Sequence, residues 1–220
     1  MAINRFNFED LYKPKPKREM PPEAILKKSV ALTRNRLIEE EGLDPTPERA
    51  FDQICLFAAR LRLSQISKYA RPVAGILVYG SPGTGKTTIV KAALRNCRPL
   101  WFTAPKVMQD CCRYADSFET DRKRISDRDV ILDDLGAESV VKVYGTTRTI
   151  AEWLEWRYQS YLRYGSLTII TTNRRNSDEL ADQYGVRIAS RLMEMCNPIL
   201  LEGGDRRREI LQRRLAENIV

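Results

Sequence analysis

Gly80-Ser81-Pro82-Gly83-Thr84-Gly85-Lys86-Thr87 is a glycine-rich octet closed by a lysine and a hydroxyl. It matches the spacing G-x-x-x-x-G-K-[ST], in which backbone amides and a lysine surround phosphate oxygens. The glycines let successive N–H groups turn inward, and a helix starting at Lys86 adds partial positive charge. Lys86 is placed to reach the terminal phosphates and Thr87 to ligate magnesium, with Thr88 completing the phosphate-binding set. The expected ligands are ATP and Mg2+. A loop that only joined a strand to a helix would not call for the lysine.

Two strand ends supply the rest of such a site. Val130-Ile131-Leu132-Asp133-Asp134 is an apolar run closed by two carboxylates. Asp133 at the tip of a strand beside the phosphate loop can hold magnesium, directly or through water. Asp134 would orient or deprotonate the water next to the γ-phosphate. Thr171-Thr172-Asn173 ends another apolar run, and an amide there can hydrogen-bond both phosphate and water. Taken alone, the acidic pair reads as an ordinary loop start and the asparagine as an ordinary turn residue. Their shared position at strand tips makes the set.

The elements that must position these groups are legible from residue 73 onward. Strands are expected over 75–79, 100–103, 130–132, 167–171 and 199–201, and helices near 86–96, 105–118, 146–163 and 177–195. Short, continuously apolar strands alternating with helices predict an α/β fold, a five-stranded parallel sheet between helices. Upstream, a helix over 22–41 ends at Gly42 and Asp44-Pro45-Thr46-Pro47, and a second pattern from Phe51 runs to about Tyr69. The last sixteen residues read as a helix with arginines on one side. Lys13-Pro14-Lys15-Pro16-Lys17 suggests an extended linker. Phe6, Phe8, Leu11 and Tyr12 before it either dock a partner or fold back. The chain therefore divides into a basic arm and helix, 1–46, for partner docking, and a nucleotide-binding domain, 47–220.

Composition narrows the chemistry. The 220 residues contain no histidine, which removes histidine bases, histidine zinc ligands and Ser-His triads. The cysteines Cys55, Cys97, Cys111, Cys112 and Cys196 form no C-x-x-C pair and read as reduced, mostly buried thiols. No apolar run is long enough for a membrane span and no signal-peptide core is present, so a cytoplasmic location is expected. The net charge of +8 permits a polyanionic partner without proving one.

Together with Tyr184-Gly185-Val186-Arg187-Ile188-Ala189-Ser190-Arg191-Leu192 and the run Leu132-Asp133-Asp134-Leu135-Gly136-Ala137-Glu138, these motifs resemble the AAA+ ATPases, a branch of the P-loop NTPases. More narrowly, they are similar to DnaC/DnaI-type bacterial helicase loaders and IstB-type transposition ATPases. The resemblance implies that Asn173 is a first sensor and that Arg191 is an arginine finger reaching a neighbouring subunit's ATP. Arg187 lies four residues before it on the same helix face. One of Arg206, Arg207 and Arg208 is a candidate second sensor. Asp134 stands where many members carry Glu, which implies slow hydrolysis, and the sequence after the fifth strand is too short for a full helical lid.

The implied activity is assembly- or DNA-dependent ATP hydrolysis by a ring or filament on DNA, expected to be single-stranded. The implied task is delivery of a replicative helicase or, alternatively, recruitment of a transposase. Lys106, Arg113, Arg122, Lys123, Arg124 and Arg128 are the cations offered to DNA, with Tyr114 and Trp101 available for stacking; solvated cations and a packed Trp101 are the plainer readings. A small-molecule kinase would need neither Asn173 nor Arg191, and a nucleotide-binding scaffold would hydrolyse nothing.

Overall fold

A computed structural model describes residues 18–113, 116–143 and 145–216. Phe6, Phe8, Leu11, Tyr12, the Lys-Pro linker and Tyr114 lie outside the described residues. In chain order the elements are α1 (Glu23–Asn35), α2 (Glu48–Ile66), β1 (Gly75–Tyr79), α3 (Lys86–Leu94), β2 (Leu100–Thr103), α4 (Ala104–Arg113), α5 (Ser117–Ile125), β3 (Val130–Leu135), β4 (Val141–Val143), β5 (Thr146–Arg148), α6 (Ile150–Tyr164), β6 (Thr168–Thr172), α7 (Ser177–Tyr184), α8 (Val186–Met195), β7 (Cys196–Leu200) and α9 (Arg206–Ala216).

The apolar runs pair as one parallel sheet in the order β2-β3-β6-β1-β7. Strands buried on both faces need helices on both sides, and alternate residues serve two cores. Ile76 and Val78 face one core with Phe51, Ile54 and Leu61 of α2 and Val90 and Leu94 of α3. Leu77 faces the other with Met108, Trp153 and Leu192. Leu37, in a wider helical turn that continues α1 over Arg36–Glu40, is fully buried in the first core. Arg34 holds α1 to α2 through Asp52 at 2.9 Å and Glu48 at 3.1 Å.

The sheet agrees with the sequence reading, and the helices depart from it in three places. The stretch 105–118 belongs to two helices, α4 and α5. Residues 146–148 are not helical but form β5, paired antiparallel with β4. Their β-branched Thr146-Thr147 favours a strand, and Gly145 supplies positive φ just before it. The expected helix 177–195 is broken at Gly185, whose φ of 87° ends α7 and starts α8. Four of the five free cysteines are buried, as expected, and Cys112 is exposed. Among the described residues no helix is long and apolar enough to cross a membrane.

Arg157 of α6 holds the layers together. Its guanidinium is fully buried. Nε donates to Thr168 Oγ1 at 3.1 Å, Nη1 to Ile125 O at 3.0 Å, and Nη2 to Arg128 O and Leu167 O at 3.1 Å each. Desolvation pulls its pKa down from 12.5 to about 10, so it stays charged at neutral pH. One side chain thereby satisfies carbonyls from α5, the turn before β3 and the start of β6. Arg157→Met should leave these acceptors unpaired and lower stability by about 3–5 kcal/mol. Equilibrium urea unfolding checks this, and an unchanged midpoint would contradict the role.

Candidate functional site: a nucleotide cleft at the strand tips

The phosphate loop runs from the end of β1 to the start of α3. A Cβ at Gly83 would collide with the Asp205 carboxylate, and Gly85 takes a left-handed conformation (φ 89°) as the N-cap of α3. Both positions therefore require glycine. Lys86 is only 6% exposed, and its Nζ donates to Gly80 O at 3.0 Å and Ser81 O at 2.8 Å. Burial lowers its pKa, opposed chiefly by the charge of Asp134. Thr84 Oγ1 donates to Ser81 O at 3.1 Å and stiffens the loop.

The second half of the site is a short relay of hydrogen bonds between elements. Thr87 Oγ1 donates to Asp133 Oδ1 at 2.8 Å, and Thr171 Oγ1 donates to the same oxygen at 2.5 Å. The Thr171 hydroxyl in turn accepts from the Asp134 amide at 3.0 Å. This link replaces a ladder bond where the β3–β6 register shifts between Leu132 and Leu135. Asp134 adopts φ 56°, an uncommon conformation for a residue with a side chain but one that Asp tolerates. Its carboxyl is held above the ordinary aspartate range by burial first and by Asp133 second. Such a group takes up a proton more readily than a surface aspartate.

These groups border a cleft of about 520 Å³ lined by Pro82, Gly83, Gly85, Lys86, Thr87, Thr88, Asp134 and Asn173. The buried Asp133 lies directly behind Thr87. The site expected from the sequence is thus brought together from β1, β3, β6 and α3. Gly80, Ser81 and Thr84 shape the loop through the contacts just described.

Arg191 and Arg187 lie elsewhere, on α8. Arg191 pairs with Glu155 of α6 and lies over the Tyr158 ring at 4.7 Å. Arg187 reaches the same carboxylate at 3.6 Å and is mostly exposed. Neither lines this chain's own cleft.

The three candidate second-sensor arginines separate clearly. Arg208 pairs with Asp205 at 3.5 Å and is exposed. Arg206 lines the cleft, but its Nη2 donates to Thr46 O at 3.0 Å and Asp44 O at 3.4 Å. Arg207 lines the cleft, and its charge acts on both Lys86 and Asp134.

Sequence reasoning missed several neighbours. Thr171 had a readable signal, a hydroxyl inside an apolar strand. Gly42, Leu43, Asp44 and Ile210 also line the cleft, but they come from opposite ends of the described chain and no local pattern marks them. Among the basic residues offered to DNA, Lys106 is paired with Asp110 at 2.6 Å and Arg122 with Glu119 at 3.4 Å. Trp101 is half-buried against the first core, with Lys91 Nζ 5.5 Å from its ring centre.

Residues 76–191 match the family model described as ATPase family associated with various cellular activities (AAA). Among solved structures, the fold is similar to DnaI (TM-score 0.58, 21% identity, covering 86% of this chain and 96% of that one). It is similar to the DnaC helicase loader (TM-score 0.54, 21% identity, 70% and 89% covered). It is also similar to AMPPCP-bound DnaA from Aquifex aeolicus (TM-score 0.54, 20% identity, 90% and 56% covered). At these identities the likeness is one of fold. No curated protein matches the sequence. The family match runs from β1 to Arg191 and covers more than half of the chain, and on that ground the chain belongs to the AAA family of ATPases.

Proposed function

We propose that the chain is an ATP-hydrolysing switch of the helicase-loader kind, assembling on DNA to deliver a replicative helicase. The observation that carries the hydrolytic part is the relay Thr87–Asp133–Thr171–Asp134 beside Lys86. Thr87, backed by the buried Asp133, and Asp134, a carboxylate with raised proton affinity, support reading this cleft as a magnesium- and water-handling site. The loader part is supported by the fold likeness to DnaC and DnaI.

In this reading the loop amides and Lys86 bind the β- and γ-phosphates. The Thr87 hydroxyl and Asp133 carboxylate fit a magnesium ion, which would neutralise phosphate charge and orient the γ-phosphoryl group. Asp134 accepts the proton of the attacking water as the water oxygen bonds to the γ-phosphorus and the bond to the β-phosphate oxygen breaks. Asn173 positions that water, and Arg207 is the second sensor. Arg191, outside its own cleft, acts on the site of the neighbouring subunit in a ring or filament. Arg113, Lys123, Arg124 and Arg128 carry single-stranded DNA on the α4–α5 side. The segment 1–46 takes the helicase, and a cytoplasmic location follows from the task. A transposase in place of the helicase would make the chain a transposition helper.

The first test is ATP turnover and solution mass with and without single-stranded DNA, then with a hexameric replicative helicase added. DNA-stimulated turnover together with a stable helicase complex is expected. A monomer indifferent to DNA that phosphorylates a small acceptor would overturn the reading.

Asp134→Asn should retain ATP binding and lose hydrolysis by about 10²-fold or more. Because the Asp134 pKa is raised, protonation removes the base at a higher pH than for a free aspartate. Turnover should therefore fall on the acid side within a window above the ordinary aspartate range, and this limb should vanish in the variant. A pH–rate profile that is the same in both would refute the assignment.

Arg191→Ala should bind ATP normally yet lose the rise in specific activity with protein concentration. If that rise persists in a dilution series, Arg191 is not the finger.

A further inference from the structure

A second concavity lies away from the nucleotide cleft, between α1, α2 and the end of α3. A groove of about 350 Å³ runs there. Its floor is apolar, with Ala58, Leu63 and Cys97 buried. Its walls present Leu32 at 62% exposure, Ile66 at 63% and Ile25 at 41%, side chains left open to water on both helices. Over its whole length α1 contains no buried residue. Ile25 and Leu32 lie seven residues apart on α1, two turns along one face.

The charge around this floor has one sign. Lys28, Arg36 and Arg62 line the groove and no carboxylate does. Arg36 Nη2 donates to Ala92 O at 3.0 Å and Ala93 O at 3.3 Å, and Arg62 Nη1 to Asn96 O at 2.6 Å. Arg36 Nη1 is buried and has no hydrogen-bond partner among the described residues. A buried guanidinium nitrogen without an acceptor keeps its positive charge uncompensated at the edge of the groove.

We propose that the α1–α2 groove is a docking site for an acidic amphipathic helix of a partner protein. The partner's apolar side chains would cover Ile25, Leu32 and Ile66, and its carboxylates would meet Lys28, Arg36 and Arg62. Apolar anchors spaced by helical turns with charged flanks are what a helix-in-groove contact reads. Opposite charge at the rim governs encounter and selectivity more than raw affinity. The inference deepens the reading of segment 1–46 as the partner-binding part and rests on it for the partner being a protein. The groove chemistry stands apart from the ATPase assignment.

The test uses the full chain and two labelled 18-residue helical peptides with the same leucine stripe, one with glutamates and one with lysines on the polar face. Fluorescence anisotropy should show binding of the acidic peptide, weakened by salt, and none of the basic one. Leu32→Asp, at an exposed position, should weaken binding at least tenfold with an unchanged thermal midpoint and unchanged ATP turnover. A Lys28→Glu/Arg62→Glu double variant should reverse the preference toward the basic peptide.

Equal binding to wild type and Leu32→Asp, or to both peptides, would overturn the proposal. So would a concentration-dependent dimer that Leu32→Asp dissolves, which would make the occupant a second copy. A large gain in peptide affinity on deleting residues 1–17 would overturn it by assigning the groove to this chain's own arm. Loss of ATP turnover with intact peptide selectivity would sink the switch reading and leave the groove assignment standing.

Discussion

The site depends on a hydroxyl standing where a sheet would ordinarily have a backbone bond. Thr171 Oγ1 donates to Asp133 and accepts from the Asp134 amide. It therefore spans the point where the β3–β6 register shifts. The shift lets two consecutive aspartates serve different purposes. Asp133 stays buried within the strand, aimed at Thr87. Asp134 is turned through a left-handed backbone onto the cleft. In a regular strand, successive side chains would project to opposite faces of the sheet. A buried carboxylate is costly unless it accepts hydrogen bonds, and Asp133 accepts from two hydroxyls, one on each flanking element.

The remaining architecture keeps that point rigid. Arg157 satisfies carbonyls at the opposite ends of β3 and β6, so both strands are held where they enter the sheet as well as where they leave it. Parallel pairing on both sides, with β6 and with β7, sets the register of β1, whose residues alternate between two differently shaped apolar cores. A one-residue slip would turn Leu77 into the wrong core. Precision at the strand tips thus comes from packing and polar contacts well behind them.

What was legible in the sequence follows the range of the forces involved. The five strands and the phosphate loop are local patterns, and β1, β2 and the start of α3 appear where the apolar runs and the Gly-Lys-Thr triplet put them. Asp133, Asp134 and Asn173 were readable because each closes an apolar run. The hairpin β4–β5 was hidden because three-residue strands lie within the noise of helical periodicity. The break at Gly185 is not marked by sequence alone, because a single glycine within a helical pattern does not always end the helix. The separation of Arg206, Arg207 and Arg208 was not legible at all. Adjacent residues of one type differ in what lies across from them: Arg206 meets the distant carbonyl of Thr46, Arg207 faces Lys86 and Asp134 in the cleft, and Arg208 pairs with the nearby Asp205.

The contact from Arg206 to the carbonyls of Asp44 and Thr46 joins residues about 160 positions apart. It brings the segment before α2 and the last described helix to the rim of one cleft, with Leu43 on one side and Ile210 on the other. A molecule filling the cleft would touch both of these segments. Its binding energy would then offset the conformational entropy lost in fixing the two rim segments against the folded domain. Occupancy of the cleft would thereby act as a clasp on the two rim segments, and would link the order of the segment after α1 thermodynamically to the phosphate loop without any rearrangement of the sheet between them.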